Sequence, residues 1–275
     1  MGLRINTNLA AMSANRALSK SSAEQAKSFQ RLASGNRIIE AGDDAAGLSI
    51  SEKLRAEIRS LGQAERNAND GISFVQVAEG GLTEVGNILI RMRELGIQAA
   101  SDTIGDTERG FIDKEIQSLK EEVTRIANVT QFNGTPLLNG EAGGPLQFHV
   151  GSRKNDQIAF HPDRFDVKAD SLGISGIDYT SADGARDALD SLDSAIAKVS
   201  GSRAELGASQ NKLQSTIANL GIAKENLSAA RSRISDTDLA AETSQLVKGN
   251  ILQQAGIAVL GQANSAPQAA LRLLS

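Results

Sequence analysis

Few residues in this chain are of types and spacings that could do chemistry. Among 275 residues there are two histidines, His149 and His161, and no cysteine. A zinc site built on a helix would set two histidines four apart beside a glutamate, and no such HExxH run occurs. Both histidines read as surface positions on strands. Without cysteine, disulfides and thiolate-ligated metals are excluded. Asp43 and Asp44, in EAGDDAAGLSIS, are paired carboxylates that could serve acid–base work or hold a cation. The Ala-Ala-Gly-Leu-Ser-Ile-Ser that follows makes them a helix start instead. There an aspartate accepts from free N–H groups and meets the positive end of the helix dipole. The IRMREL run places Arg91, Arg93 and Glu94 on one helix, a weak phosphate site and an ordinary polar face. No glycine loop of the phosphate-binding or dinucleotide type is present. The residues predict no enzyme, no metal and no cofactor.

The elements that carry these residues are more informative. Aromatic residues are 3% of the chain, so the core must come from Leu, Ile, Val and Ala, which favours narrow helix seams. A net charge of −4 gives no general pull toward nucleic acid. The N-terminal stretch has no apolar run or cleavage site of a secretory signal. Residues 249–271 carry no charge and are long enough to span a bilayer, but their glutamines and asparagines would be costly in hydrocarbon. No membrane insertion is expected.

The four prolines, at 136, 145, 162 and 267, leave 1–135 and 163–266 without an imposed break. Stepping by four and three from Ala185 to Ile234 meets eleven apolar residues in fifteen, a coiled-coil-like seam about 75 Å long. A second seam runs from Leu54 to Ala99 through many glycines, read as points of close helix approach. A third covers 107–129, with Asp106 or Thr107 as its cap. The middle, with two Asn-Gly pairs at 133–134 and 139–140, reads as hairpins and turns. A weak stripe at 8–34 collects Ala11, Ala14, Leu18, Ser22, Gln25, Phe29 and Leu32. The last helix, after the SDTD cap at 235–238, is apolar on more than one face, and one weak helix cannot cover it.

The expected fold is mainly α: an elongated antiparallel helical rod with small β-hairpins in the middle. Residues 1–42 and 236–275 form a terminal coiled-coil domain. Residues 43–235 form the rod, with helices about 44–100, 107–129 and 181–234 and hairpins about 131–180. Surplus apolar faces imply open, head-to-tail association. The residues expected at subunit contacts are Leu18, Phe29, Leu32, Leu246, Val247, Ile251, Leu252, Ile257, Leu260, Leu271, Leu273 and Leu274.

Six runs carry a resemblance across nearly the whole chain, in one order. They are LRINTNLAAMSANRAL (3–18), QRLASGNRIIEAGDDAAGLSISEKLRAEIRSL (30–61), NANDGISFVQVAEGGLTEVGNILIRMREL (67–95), TQFNGTPLLNG (130–140), ENLSAARSRISDTDLAAET (225–243) and ILQQAGIAVLGQANSAPQAALRLLS (251–275). Together they closely resemble bacterial flagellin, in a minimal form without outer inserted domains. The resemblance implies a helical homopolymer, the extracellular flagellar filament, used for swimming. It implies terminal helices paired as an inner coiled coil, and export through the flagellar type III channel. It also implies an export chaperone, hook-junction and filament-cap proteins as partners. Contacts to a vertebrate innate-immune receptor would map onto Arg91, Glu94, Leu95 and Glu122. Two other readings stand beside it: a hook–filament junction protein, which shares the terminal helices, and, from a different class, a soluble coiled-coil adaptor or secreted effector.

Overall fold

The computed structural model describes residues 7–272, with side chains through Ser265. The elements are α1 (Leu9–Ser34), α2 (Ala45–Ala99), α3 (Asp106–Val129), β1 (Gln131–Phe132), β2 (Thr135–Pro136), β3 (Leu146–His149), β4 (Gln157–Phe160), a 3-10 turn (Pro162–Phe165), α4 (Ala169–Leu172), α5 (Ala182–Ser235) and α6 (Leu239–Arg272). The three helices expected at 44–100, 107–129 and 181–234 are met to within a residue. The chain divides into two compact units, Met1–Ala56 with Asn226–Ser275, and Glu57–Glu225. The first unit therefore takes in the opening turns of α2 and the closing turns of α5.

In the second unit the core follows the heptads. On α2 the buried positions are Leu61, Ala64, Ala68, Gly71, Val75, Ala78, Leu82, Val85, Leu89, Met92, Gly96 and Ala99, alternating steps of three and four. On α5 a buried row, Ala185, Leu192, Val199, Leu206, Leu213 and Leu220, recurs every seventh residue, with Ala188 and Ala195 buried beside it. Their companions Leu189, Ile196 and Ile217 are half-buried, and Arg203 points out to within 3.9 Å of Glu79. From α3 come Ile112, Ile116, Val123 and Ala127. Each large apolar side chain sunk here stabilises by about 1.5–3 kcal/mol. A Cβ on Gly71 would stand 3.3 Å from Leu213 Cδ1, so this glycine does permit close approach.

Both hairpins are two-stranded and antiparallel, with Phe132 opposite Thr135 and Phe148 opposite Ile158. Asn133 and Gly134, at φ 50° and 79°, make the tight turn of the first, as their type predicts. The second Asn-Gly pair is not a hairpin turn. Asn139 is buried, and its Oδ1 accepts from Glu141 N at 3.0 Å. The hairpins are held by aromatic contacts. Phe74 of α2 meets Phe132, Phe148 and Phe160 edge-on at 5.7, 5.5 and 4.9 Å, and Phe160 stacks on Phe165 at 5.2 Å.

Two cations are buried as structural ties. Arg109 donates to Ala99 O at 2.9 Å and Ser101 O at 3.0 Å, closing the carbonyl end of α2. Lys120 Nζ donates to Ile177 O, Ser175 O and Gln117 Oε1 at 2.6, 3.1 and 3.3 Å. Burial pulls its pKa below the usual lysine value, against the opposing pull of Asp113 and Asp178. The cap of α3 is Gly105, not the expected Asp106 or Thr107. Asp106 lies in the first turn, 2.9 Å from Arg109 Nη1.

Phe74→Ala is expected to lower the unfolding free energy by about 3–5 kcal/mol, read as an earlier denaturant midpoint. Phe111→Ala removes a ring that is 64% exposed and should change it by no more than about 0.5 kcal/mol.

Candidate self-association surfaces

Local signals fix the ends of α1 and α6. Asn8 Oδ1 accepts from Ala11 N at 3.0 Å, capping α1. Gly35, at φ 71°, ends α1 and returns its N–H to Arg31 O at 2.8 Å. Asp238 Oδ1 accepts from Ala240 N at 2.9 Å and Ala241 N at 3.2 Å at the start of α6.

The two helices run antiparallel, with Cα atoms within 8 Å of each other along the pair. Small residues permit that approach. A Cβ on Gly256 would stand 3.3 Å from Leu18 Cδ1, and one on Gly249 would stand 3.6 Å from Gln25 Cβ. The half-buried row on α6 is Leu246, Gly249, Gln253, Gly256, Leu260 and Ala263. On α1 it is Ala11, Ala14, Leu18, Ser21 and Gln25, leading to Ser28, which is 3% exposed. Gln25 Nε2 donates to Asn250 Oδ1, and Asn8 Nδ2 to Ala263 O at 2.8 Å.

Leu18, Leu246 and Leu260 lie in this seam, and many other bulky apolar side chains lie outside it. Leu9, Met12 and Phe29 on α1 and Val247, Ile251, Leu252, Ile257 and Val259 on α6 are all at least half exposed, Phe29 at 65%. Val247, Ile251 and Leu252 join Thr243, Ser244 and Lys248 around an open hollow of about 500 Å³. Of the residues expected at subunit contacts, Leu18, Leu32, Leu246 and Leu260 are half-buried, and Phe29, Val247, Ile251, Leu252 and Ile257 face outward. Leu273 and Leu274 lie outside the described residues, as does the side chain of Leu271. The predicted α1 stripe is off by one position twice. Ser21 and Ser28 take the half-buried and buried places expected of Ser22 and Phe29, which instead border an open hollow beside Leu246.

At the base of the pair, residues 35–37 are joined to the α5–α6 link. Asn36 and Asp236 form an isolated antiparallel bridge. Arg37 N donates to Ser235 O at 2.7 Å, Arg37 Nη2 to Ile234 O at 2.8 Å, and Thr237 N to Gly35 O at 2.9 Å. Of the paired aspartates, Asp44 is the helix-start group that the sequence context indicates, whereas Asp43 turns back to hold the 39–40 backbone ahead of α2. Asp44 Oδ1 accepts from Gly47 N at 2.8 Å. Asp43 Oδ2 accepts from Glu40 N at 3.2 Å and Ile39 N at 3.3 Å, while Lys27 and Arg31 approach Oδ1. Those backbone donors, Glu40 before Ile39, with help from Lys27, hold the Asp43 pKa below its usual value.

The second unit presents a different surface. Arg91 donates to Glu115 at 3.1 Å and to Glu94 at 3.2 Å, and these bonds raise its pKa, Glu115 contributing most. Leu95 is 3% exposed and belongs to the core. Glu122 pairs with Arg125 at 2.6 Å, one heptad from Glu115. The structure thus joins Arg91 and Glu94 to Glu115, a residue not singled out from sequence, and sets Leu95 and Glu122 apart. Of the histidines, His149 ends β3 and His161 precedes the 3-10 turn, with Nδ1 3.8 Å from Asp163. Among the described residues no cluster fit to hold a metal ion occurs.

Residues 5–142 match the family described as the bacterial flagellin N-terminal helical region, and residues 189–274 match the bacterial flagellin C-terminal helical region. The chain belongs to the bacterial flagellins. It is 45% identical over 270 residues to a flagellin of Halalkalibacterium halodurans, covering 98% of this chain and 99% of that one. It is also similar to the crystal structure of Bacillus cereus flagellin, at 29% identity and TM-score 0.51, over 56% of this chain and 88% of that one. A Vibrio parahaemolyticus structure named for a flagellar hook-associated protein shares the fold at 16% identity and TM-score 0.58, covering 70% of this chain and all of that one. As a flagellin the protein is a structural subunit that self-assembles into the flagellar filament of swimming bacteria, and not a catalyst. That filament is extracellular. Among the described residues no helix is long and apolar enough to cross a membrane.

The Asp43 carboxylate sets a pH window for the base of the pair. Its folded pKa lies below the model-compound value of 3.8, so its contribution is complete above that value and is lost as pH falls through the lower folded one. Hydrogen-exchange protection of the Ile39 and Glu40 amides in this flagellin should therefore fall on acidification below about pH 4. Asp43→Ala, which removes the acceptor, should show weak protection at every pH.

Proposed function

We propose that the outward apolar faces of α1 and α6 are the surfaces that other copies cover when the filament forms. Phe29, Val247, Ile251, Leu252, Ile257 and the leucines 271, 273 and 274 would carry the inner core. Leu18, Leu32, Leu246 and Leu260 hold the pair that presents it. One observation carries this reading: the seam within the chain takes in few large side chains and leaves Phe29, Val247, Ile251, Leu252 and Ile257 in water. Such a patch drives association by about 25 cal/mol per Å² covered, less the entropy of ordering. Contact between unlike faces of successive copies does not close on itself and gives a helical polymer. The proposed terminal domain, 1–42 with 236–275, is the inner layer, and 43–235 is the rod outside it. The subunit is secreted. An export chaperone, hook-junction proteins and a filament cap are the partners that the family resemblance supports.

A second surface is proposed for the second unit. The Arg91–Glu94–Glu115 cluster is exposed and fixed by mutual hydrogen bonds, which suits a charged anchor for a vertebrate innate-immune receptor. Glu122 would join at its edge, and Leu95 would act from the core by supporting α2.

The triple variant Val247→Ser, Ile251→Ser, Leu252→Ser is expected to stay unpolymerised where the parent forms filaments in electron micrographs, with the denaturant midpoint of the Phe74-centred core unchanged. Filaments formed at the parental rate would defeat the reading. Protease should cut α1 and α6 first in the free subunit and spare them in the filament. For the second surface, Arg91→Ala should reduce receptor activation about tenfold or more at equal protein, with melting unchanged.

A further inference from the structure

The α1–α6 seam repeats itself every seven residues. In the observed register Leu18 faces Gly256 and Gln25 faces Gly249. The same spacing sets Ala14, Ser21 and Ser28 opposite Leu260, Gln253 and Leu246. By this register each large residue of the row stands opposite a small one, heptad after heptad, and Leu246 borders Phe29 as well. A slip of one heptad, about 10 Å, keeps that pattern. In one direction Leu18 would meet Gly249 and Ser21 would meet Leu246. In the other, Leu18 would meet Ala263, Gln25 would meet Gly256, and Leu32 would meet Gly249 in place of Glu242. Along the shaft the side-chain bonds specific to one register are Gln25 to Asn250, which is exposed and competes with water, and Asn8 to Ala263.

What distinguishes the registers lies at the base. The Asn36–Asp236 bridge, the Arg37 bonds to Ser235 and Ile234, and the Thr237 bond to Gly35 connect fixed positions on the two strands of chain. Arg31, 4.0 Å from Glu242, adds a charge pair there. We infer that this base sets the register of α1 against α6, that the seam does not, and that Arg37 is the positioning residue. Register matters to assembly because it fixes the height of Phe29 on one helix relative to Val247, Ile251 and Leu252 on the other. In that respect the inference rests on the assembly surfaces proposed above.

The chain has no cysteine, so introduced pairs can be read without background. Full-length chains with Leu18→Cys and Gly256→Cys report the observed register. Leu18→Cys with Gly249→Cys, and with Ala263→Cys, report the two slipped ones. Each chain is polymerised in reductant and then oxidised, and intrachain bridges are separated from interchain ones by size on a denaturing gel. In the parental background the 18/256 pair alone should close. Arg37→Pro removes both the N–H to Ser235 and the guanidinium to Ile234. In that background a slipped pair should rise several-fold while the 18/256 pair falls. If 18/256 still closes alone, the proposal is overturned. Should Arg37→Pro not polymerise, the same pairs are read in soluble Arg37→Pro and Arg37→Ala chains against the soluble parent, with the same rise required. Failure of the assembly reading is separate: it shows as filaments from the triple serine variant, whatever the cross-links report.

Discussion

The constraint on which the first unit depends is the small-for-large packing of α1 against α6. Glycines at 249 and 256 and serines at 21 and 28 let two backbones approach closely. A helix has only so many faces, so a seam made of small residues leaves the large apolar ones elsewhere. Phe29, Ile251 and Ile257 are therefore displayed rather than used internally. In a protein meant to stay single this would be an aggregation hazard. On the assembly proposed above it separates two tasks: the small residues make the pair, and the large ones make the polymer.

The second unit is built the other way. Its heptads point inward, Gly71 and Gly96 serve close approach while Gly62 and Gly80 face open space, and Phe132, Phe148 and Phe160 are gathered around Phe74. Its charged side chains that are buried do structural work. Arg109 closes a helix end and Lys120 gathers three acceptors, so neither is left over for chemistry. The histidines and the paired aspartates, which open a search for a catalytic centre, are likewise explained by strand, turn and helix-start positions.

Much of this was legible in the sequence. Sparse prolines and long apolar periods predicted three of the helices to within a residue. Turn chemistry predicted the Asn133–Gly134 hairpin. Failures came where a contact depends on what lies opposite. Phe29 falls on the predicted stripe, yet it is 65% exposed and Ser28 is the buried neighbour. Leu95 is core, as the α2 seam predicts, whereas the resemblance set it beside Arg91, which is in solvent. Glu115 gains meaning only when α3 folds back along α2. Asn139–Gly140 carries the same turn signal as its neighbour, but burial and the bond to Glu141 give it another role. Periodicity names a stripe; it does not name the stripe's partner.

The sevenfold recurrence of the buried α5 row, from Ala185 to Leu220, has a consequence for how such a chain can change length. Removing one residue from the middle of α5 would rotate everything beyond it by about 100° and turn the buried row toward solvent. Removing seven returns the row to its place, provided α2, with its own heptad order, loses seven as well. The two helices behave like racks cut to a common tooth. Related subunits should therefore differ in this region by matched sevens, while the turns at 141–145 and 151–156, outside that gearing, are free to vary one residue at a time.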